Sequence, residues 1–416
     1  MLRVSVIIPS YNRADYLPLT LQSIFDQALA PDEIIVVDDG SSDGTAELVK
    51  DYGSRVRYFG QNHLGVAAAR NLGLSMAHGD VIAWLDADDL WDPDFLRTVV
   101  SRLELDQSID GVYTGFALID SAGNVLVTPE PKVVPPAGLF QALIDSDFII
   151  TSAFVVRKKC FEQVGCFDES FRICEDYDMF LRLSKVFTLV GVSQPLMKLR
   201  VHEHNITRDT QIFCRFRLAL TAKHFGPAEG DPAAWPHAKR RAHAHALLAC
   251  AVRYFQDQKP EAGWQYVRQA VLTWPGLLDT LDFYFELAFG GQPRVCRGRV
   301  DLLDIDSQGA ELLRQLGALF AAAGPEVQAY RQAAYGNAYL TLAILNDQAG
   351  HWAAARGCLG RALITAPRLL ASYPVIRRLI KLCAGQRLVS VLRSLGSRQL
   401  PFKARFRGEK NEPISY

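Results

Sequence analysis

The chain has 416 residues, 49% of them hydrophobic, which is enough material for two domains that each bury a core. Its 45 lysines and arginines balance 45 aspartates and glutamates, so the broad basic footprint of a nucleic-acid-binding protein is excluded. No stretch approaches the roughly 18 apolar residues of a membrane span, and the apolar run Val4–Ile8 is too short for a secretory core.

In chain order, Val4–Ile8 reads as a strand stopped by Pro9. Asp15–Gln27 follows as a helix, with Tyr16, Leu17, Leu21, Ile24 and Phe25 near helical spacing. Ile34–Val37 is a strand, Thr45–Tyr52 a helix, Val56–Phe59 a strand and Gly65–Ala77 an alanine-rich helix. Val81–Leu85 is the next strand and Pro93–Leu105 the next helix. Continuous apolar strands separated by helices predict an α/β fold with a mostly parallel sheet covered on both faces. Ligands of such sheets sit beyond the carboxyl ends of the strands. Residues 107–150 are interrupted by Pro129, Pro131, Pro135 and Pro136 and predict a loop. Strand and helix signals resume at Phe148–Val156 and Glu175–Ser184.

From about residue 215 strand signals vanish. The reading is a domain over 1–215, an all-α region over 216–383 and a basic tail over 384–416. Leu248 through Pro275 resembles Leu340 through Pro367 at a fixed offset, pairing Ala251 with Ala343, Ala262 with Ala354 and Ala270 with Ala362. Each copy reads as helix, turn, helix, proline: either tetratricopeptide-like hairpins that offer a surface to a protein partner, or ordinary helical hairpins. Between Arg377 and Lys410 lie ten basic residues and one acid, Glu409. This segment is either a basic amphipathic helix for an anionic membrane surface or a helix packed with its basic face in solvent. The eight cysteines form no CxxC pair, so they read as reduced thiols of a cytoplasmic protein rather than zinc ligands.

Five clusters carry chemistry. Pro9-Ser10-Tyr11-Asn12-Arg13 follows the first strand; it either caps the next helix or lines a nucleotide base with the Tyr11 ring. In Asp38-Asp39-Gly40-Ser41-Ser42-Asp43-Gly44, turn chemistry accounts for the glycines but not for adjacent carboxylates after an apolar strand. Such a carboxylate can accept a hydrogen bond from a base imide or a ribose hydroxyl. Arg70 lies in the helix opened by Gly65, either solvated or presenting a guanidinium fork to a diphosphate. Asp86-Ala87-Asp88-Asp89 places three carboxylates within four residues, which repel unless solvated or neutralised. Mg²⁺ or Mn²⁺ commonly bridges one or two such carboxylates to substrate phosphates. Glu175, Asp176 and Asp178 open a helix, where acids suit the dipole or one serves as a general base.

Taken in order, these segments resemble the inverting glycosyltransferases of family 2, with the GT-A nucleotide-sugar fold, over roughly residues 1–210. The matching pieces run from Val4–Asn12 through Ile35–Thr45, Ala69–Gly73 and Leu85–Asp89 to Val164–Glu169, Glu175–Asp178 and Arg200-Val201-His202 with Asn205 and Thr207. Leu199 stands where the family commonly has an aromatic. The resemblance implies that Pro9, Tyr11 and Asp39 line the base and that Arg70 faces the diphosphate. Asp86 would meet the ribose or the metal, Asp88 would hold the metal, and His202 would lie near the pyrophosphate or metal. Asp176 would be the catalytic base, with Glu175 as the alternative. The implied reaction is metal-dependent, inverting transfer of a sugar from a nucleotide-diphosphate sugar, a uridine diphosphate sugar by preference, to an acceptor hydroxyl. The acceptor would be a surface polysaccharide, a lipid-linked glycan or a protein, met by loops at about 107–150 and 195–215. The implied location is the cytoplasm, with a peripheral contact at the inner face of the membrane. A nucleotidyltransferase is the competing enzyme, but no glycine-rich phosphate loop follows the first strand. A non-catalytic scaffold with a degenerate transferase domain is the competing binding protein.

Overall fold

A computed structural model describes residues 1–202, 209–293 and 297–371. The basic tail and the Arg377–Lys410 segment lie outside the described residues, as do Asn205 and Thr207. The chain forms two compact units, residues 1–227 and residues from 228 onward.

The first unit is built on one nine-stranded sheet. Its elements are β1 (Val4–Ser10), α1 (Leu17–Phe25), β2 (Glu33–Asp38), α2 (Thr45–Lys50), β3 (Arg57–Gly60), α3 (Val66–Met76), β4 (Val81–Trp84), β5 (Leu90–Trp91), α4 (Phe95–Leu105), β6 (Gly111–Ile119), β7 (Val125–Val127), α5 (Pro136–Asp145), β8 (Phe154–Arg157), α6 (Cys160–Val164), α7 (Glu175–Ser184), β9 (Leu189–Arg200) and α8 (Thr210–Phe225). The order across the sheet is β3-β2-β1-β4-β8-β6-β9-β5, with β7 beside β6. The strands read from the first ninety residues, β3-β2-β1-β4, are parallel as expected. β8 runs antiparallel to both β4 and β6, while β9 runs parallel to β6.

Side chains alternate across this sheet because strand geometry has period two. Val4, Val6 and Ile8 enter one core with Leu21 of α1 and Phe95 of α4. Ile7 enters the other with Ala69 of α3, Leu143 of α5 and Phe180 of α7. Both faces are therefore covered, which explains the unbroken apolar runs. α3 sits so close to β1 that a Cβ on Gly73 would lie 2.4 Å from Ile7 Cγ2.

Three expectations change. Pro9 lies inside β1, opposite Val37 of β2, and does not end the strand. The last rung toward β4 is Leu85 N donating to Ile7 O at 3.1 Å. The next would need an N–H from Pro9, so β1 and β4 part here. Residues 107–150 are not simply a loop: β6 is a buried strand in the middle of the sheet, and Pro136 opens α5. The expected boundary at 215 falls within α8, where Leu220 is buried in the core of the first unit.

The second unit is helical: α9 (His237–Gln256), α10 (Pro260–Thr273), α11 (Leu281–Phe289), α12 (Ile305–Ala322), α13 (Pro325–Gln328), α14 (Arg331–Gln348) and α15 (Trp352–Thr365). The two similar segments are the hairpins α9–α10 and α14–α15. Their turns match bond for bond: Lys259 N donates to Tyr254 O at 2.9 Å, and His351 N to Asn346 O at 2.8 Å. Gln258 at φ 57° and Gly350 at φ 79° hold the same left-handed position. Ala251, Ala343, Ala270 and Ala362 are fully buried, small enough to let the paired helices approach.

Candidate functional site

Beyond Trp84 the chain leaves the sheet as the loop Asp86–Asp89, which is held from several sides. Asp89 is 1% exposed. Its carboxylate accepts from Ser152 Oγ at 2.6 Å and from the backbone N–H of Arg200 at 2.9 Å. Burial, reinforced by Asp88 and Asp86, pushes its pKa well above the usual carboxylate range. Arg200 also donates from Nε to Asp88 O at 2.8 Å. Thr20 Oγ1 donates to Ala87 O at 2.9 Å. Asp89 thus serves as the anchor of the loop, while Asp86 and Asp88 remain partly open, with side chains 36% and 16% exposed.

Asp88 Oδ2 receives Arg13 Nε and lies at the same 2.9 Å from His202 Nε2. Burial works against ionisation of Asp88, and His202 and Arg13 outweigh it, holding the carboxyl below its ordinary range. The His202 ring stacks on Tyr16 with centroids 5.1 Å apart. His202, expected near the pyrophosphate or metal, is in direct contact with Asp88.

Arg70, expected to face a diphosphate, is held between two carboxylates. It is 2% exposed. Its Nη2 donates to Asp86 Oδ1 at 2.8 Å and its Nη1 to Glu175 Oε1 at 2.6 Å. One guanidinium fork therefore ties the acid loop to the first residue of α7. Burial opposes the charge of Arg70, but Asp86, Glu175 and Asp176 raise its pKa above the ordinary value. Glu175 shows the reverse balance: burial and Asp176 raise its pKa to about 7 against the opposing pull of Arg70. Asp176, next in sequence, accepts from Thr151 Oγ1 at 2.9 Å and from Tyr177 N at 2.8 Å. It is less buried than Glu175.

At the ends of β1 and β2, Tyr11 is 40% exposed and stacks on His63 with centroids 4.0 Å apart. Asp39 is 3% exposed. Its oxygens accept from Leu64 N at 2.8 Å, Gly65 N at 2.9 Å and Gln61 Nε2 at 2.6 Å. The carboxylate shapes the loop that carries His63 and starts α3. Gly40 is needed close by: at φ 81°, a Cβ there would come 3.2 Å from His63 N. Pro9 is buried in β1.

Sequence reasoning missed Arg13, Thr151 and Ser152. Arg13 was visible only as part of a capping loop, 75 residues from Asp88 in sequence. Thr151 and Ser152 interrupt the apolar stretch Phe148–Val156, and two hydroxyls in a buried segment must find partners. That was the available signal.

Among the described residues, no group of three or more His, Cys, Asp or Glu side chains is arranged as a complete metal cage. The donor set still suits a hard divalent ion, which commonly takes one or two carboxylates and completes its shell with phosphate and water oxygens. Asp86 and Asp88 offer such oxygens on one partly open loop. Among the described residues, no helix is long and apolar enough to cross a membrane.

The glycosyl transferase family 2 model matches residues 5–165. The uncharacterized glycosyltransferase RT0329 of Rickettsia typhi is 32% identical over 210 residues, covering 49% of this chain and 65% of its own length. TuaG of Bacillus subtilis, a glycosyltransferase provisionally assigned to teichuronic acid biosynthesis, is 32% identical over 213 residues, covering 49% of this chain and 81% of TuaG. The amylovoran biosynthesis glycosyltransferase AmsB of Erwinia amylovora is 29% identical over 290 residues, covering 65% of this chain and 90% of AmsB. The chain spans less than two thirds of RT0329 and 40% of a second rickettsial relative.

Proposed function

Because this chain belongs to glycosyl transferase family 2, we propose that it performs metal-dependent, inverting transfer from a nucleotide-diphosphate sugar, with Asp176 as the base. The observation that carries this reading is the Arg70 fork. By joining Asp86 to Glu175, it brings the acid loop and the start of α7 to one locus beyond the strand ends.

The geometry supports the following roles. The exposed Tyr11–His63 stack suits the flat face of a nucleotide base. Asp86 and Asp88 would hold Mg²⁺ or Mn²⁺, which when bound supplies Lewis-acid stabilisation of the charge on the departing diphosphate. Asp176 takes the proton of an acceptor hydroxyl. That oxygen bonds to the anomeric carbon as the bond from carbon to diphosphate breaks, its electron pair leaving with the phosphate. One displacement inverts the centre, and no nucleophile from the protein is used. Arg70 and Glu175 hold the two ends of the site rather than meeting the diphosphate. A uridine diphosphate sugar donor and a polysaccharide or glycoconjugate acceptor are the favoured substrates. Partly exposed Asp176 is better placed for the proton than the buried Glu175.

Asp176→Asn should lower turnover by about 10²- to 10⁴-fold, the usual share of general-base catalysis, while the donor still binds. Asp88→Ala should lose Mn²⁺-dependent binding of uridine diphosphate in calorimetry. Near-normal turnover of Asp176→Asn, or unchanged binding to Asp88→Ala, removes that residue from its role. Release of pyrophosphate instead of nucleoside diphosphate would reject sugar transfer itself.

A further inference from the structure

The segment that leads into β8 carries two neighbouring hydroxyls whose partners lie in different elements. Thr151 is 3% exposed and Ser152 is fully buried. Thr151 Oγ1 donates to Asp176 Oδ2 at 2.9 Å, reaching the first turn of α7. Ser152 Oγ donates to Asp89 Oδ2 at 2.6 Å and accepts from Asp86 N at 3.0 Å, reaching the acid loop. The carbonyl of Ser152 also accepts from the Trp91 indole at 2.6 Å, so the backbone is held on the acid-loop side. Adjacent Cα atoms are about 3.8 Å apart across a rigid trans peptide. A single peptide unit therefore links the start of α7 to the acid loop.

We propose that Thr151 and Ser152 are positioning residues for sugar transfer, Thr151 aiming the Asp176 carboxylate and Ser152 fixing the acid loop at the matching distance. This rests on Asp176 being the base. Each Asp176 oxygen receives one donor, Thr151 on Oδ2 and Tyr177 N on Oδ1. Two donors on two oxygens fix the plane of the carboxylate and leave further lone pairs for the acceptor proton. Neither hydroxyl takes up that proton. Their work is alignment, where small misplacements cost large factors in rate. The Arg70 fork ties the same two elements through charge, but it reaches Glu175, one residue before the base.

The test uses the full chain with Mn²⁺ and a fixed probe set of UDP-glucose, UDP-galactose and UDP-N-acetylglucosamine, following release of uridine diphosphate. Thr151→Val keeps the shape and removes the donor. It should lower kcat roughly 10- to 100-fold, the scale of one hydrogen bond to a charged group, with KM for the donor unchanged. Thr151→Ser should restore most of kcat. Ser152→Ala should weaken calorimetric binding of uridine diphosphate with Mn²⁺, a readout that needs no turnover, whereas Thr151→Val should leave that binding as it was. A Thr151→Val enzyme with normal kcat beside an inert Asp176→Asn overturns the clamp and spares the base. An active Asp176→Asn overturns the base itself. Equal losses in Thr151→Val and Thr151→Ser, or unaltered binding to Ser152→Ala, also refute the clamp.

Discussion

Glu175→Gln tests whether the buried fork is as strained electrostatically as its geometry demands. Glu175 is 5% exposed and lies beside Asp176, and these two influences raise its pKa from an ordinary 4.5 to about 7 despite Arg70. The folded protein therefore holds this proton more tightly than the unfolded chain does. Between those two values the folded state binds more protons, so this group's contribution is full below the lower value and is lost as pH rises through the higher one. A displacement from 4.5 to about 7 corresponds to an upper bound of about 3 kcal/mol. Glutamine cannot ionise, and its Oε1 can still accept from Arg70 Nη1. The stability of the variant relative to the wild type should therefore rise by up to about 3 kcal/mol between pH 5 and pH 8, whatever the offset at the acid end. Hydrogen exchange of peptides from β1, β4 and α7 measures this in the first unit alone, which avoids treating a chain of two units as one transition. Parallel pH profiles for the two proteins would mean that Arg70 keeps Glu175 ionised throughout, and the balance argued here would be wrong.

Other outcomes follow from close packing and from the repeated turn. Gly73→Ala drives a Cβ to 2.4 Å from Ile7 Cγ2. Overpacking of this kind should cost about 1–3 kcal/mol, visible as lowered hydrogen-exchange protection of β1. Gly350→Ala meets no atom within 4 Å, so its cost is the left-handed backbone alone, about 1–2 kcal/mol by thermal denaturation. Gln258→Gly, at the matching turn, should instead gain up to about 1 kcal/mol in the same measurement.

The early strands and helices were legible because both faces of the parallel half are covered, so each strand is an unbroken apolar run between turn residues. β6 was hidden by its neighbours. Four prolines within Pro129–Pro136 suggested irregularity throughout, yet they follow the strand and pack near it: a Cβ on Gly115 would meet Pro131 Cγ at 2.6 Å. β9 contains Pro195, and its pairing with β6 shifts register beside Gly115, so no alternation survived for a reader to find. The acid loop and the opening of α7 were legible as clusters, but their pairings were not. Whether Arg70 points to solvent or joins two carboxylates depends on residues 16 and 105 positions away. The link from Thr151 to Asp176 spans 25 residues and leaves no local trace.

Pro9 marks where the ladder between β1 and β4 stops, just before the acid loop. Almost any other residue there would restore an amide hydrogen facing Leu85 O, and β1 could zip one rung further against its neighbour. At this position β1 lacks the one amide hydrogen that would carry its ladder with β4 past Leu85.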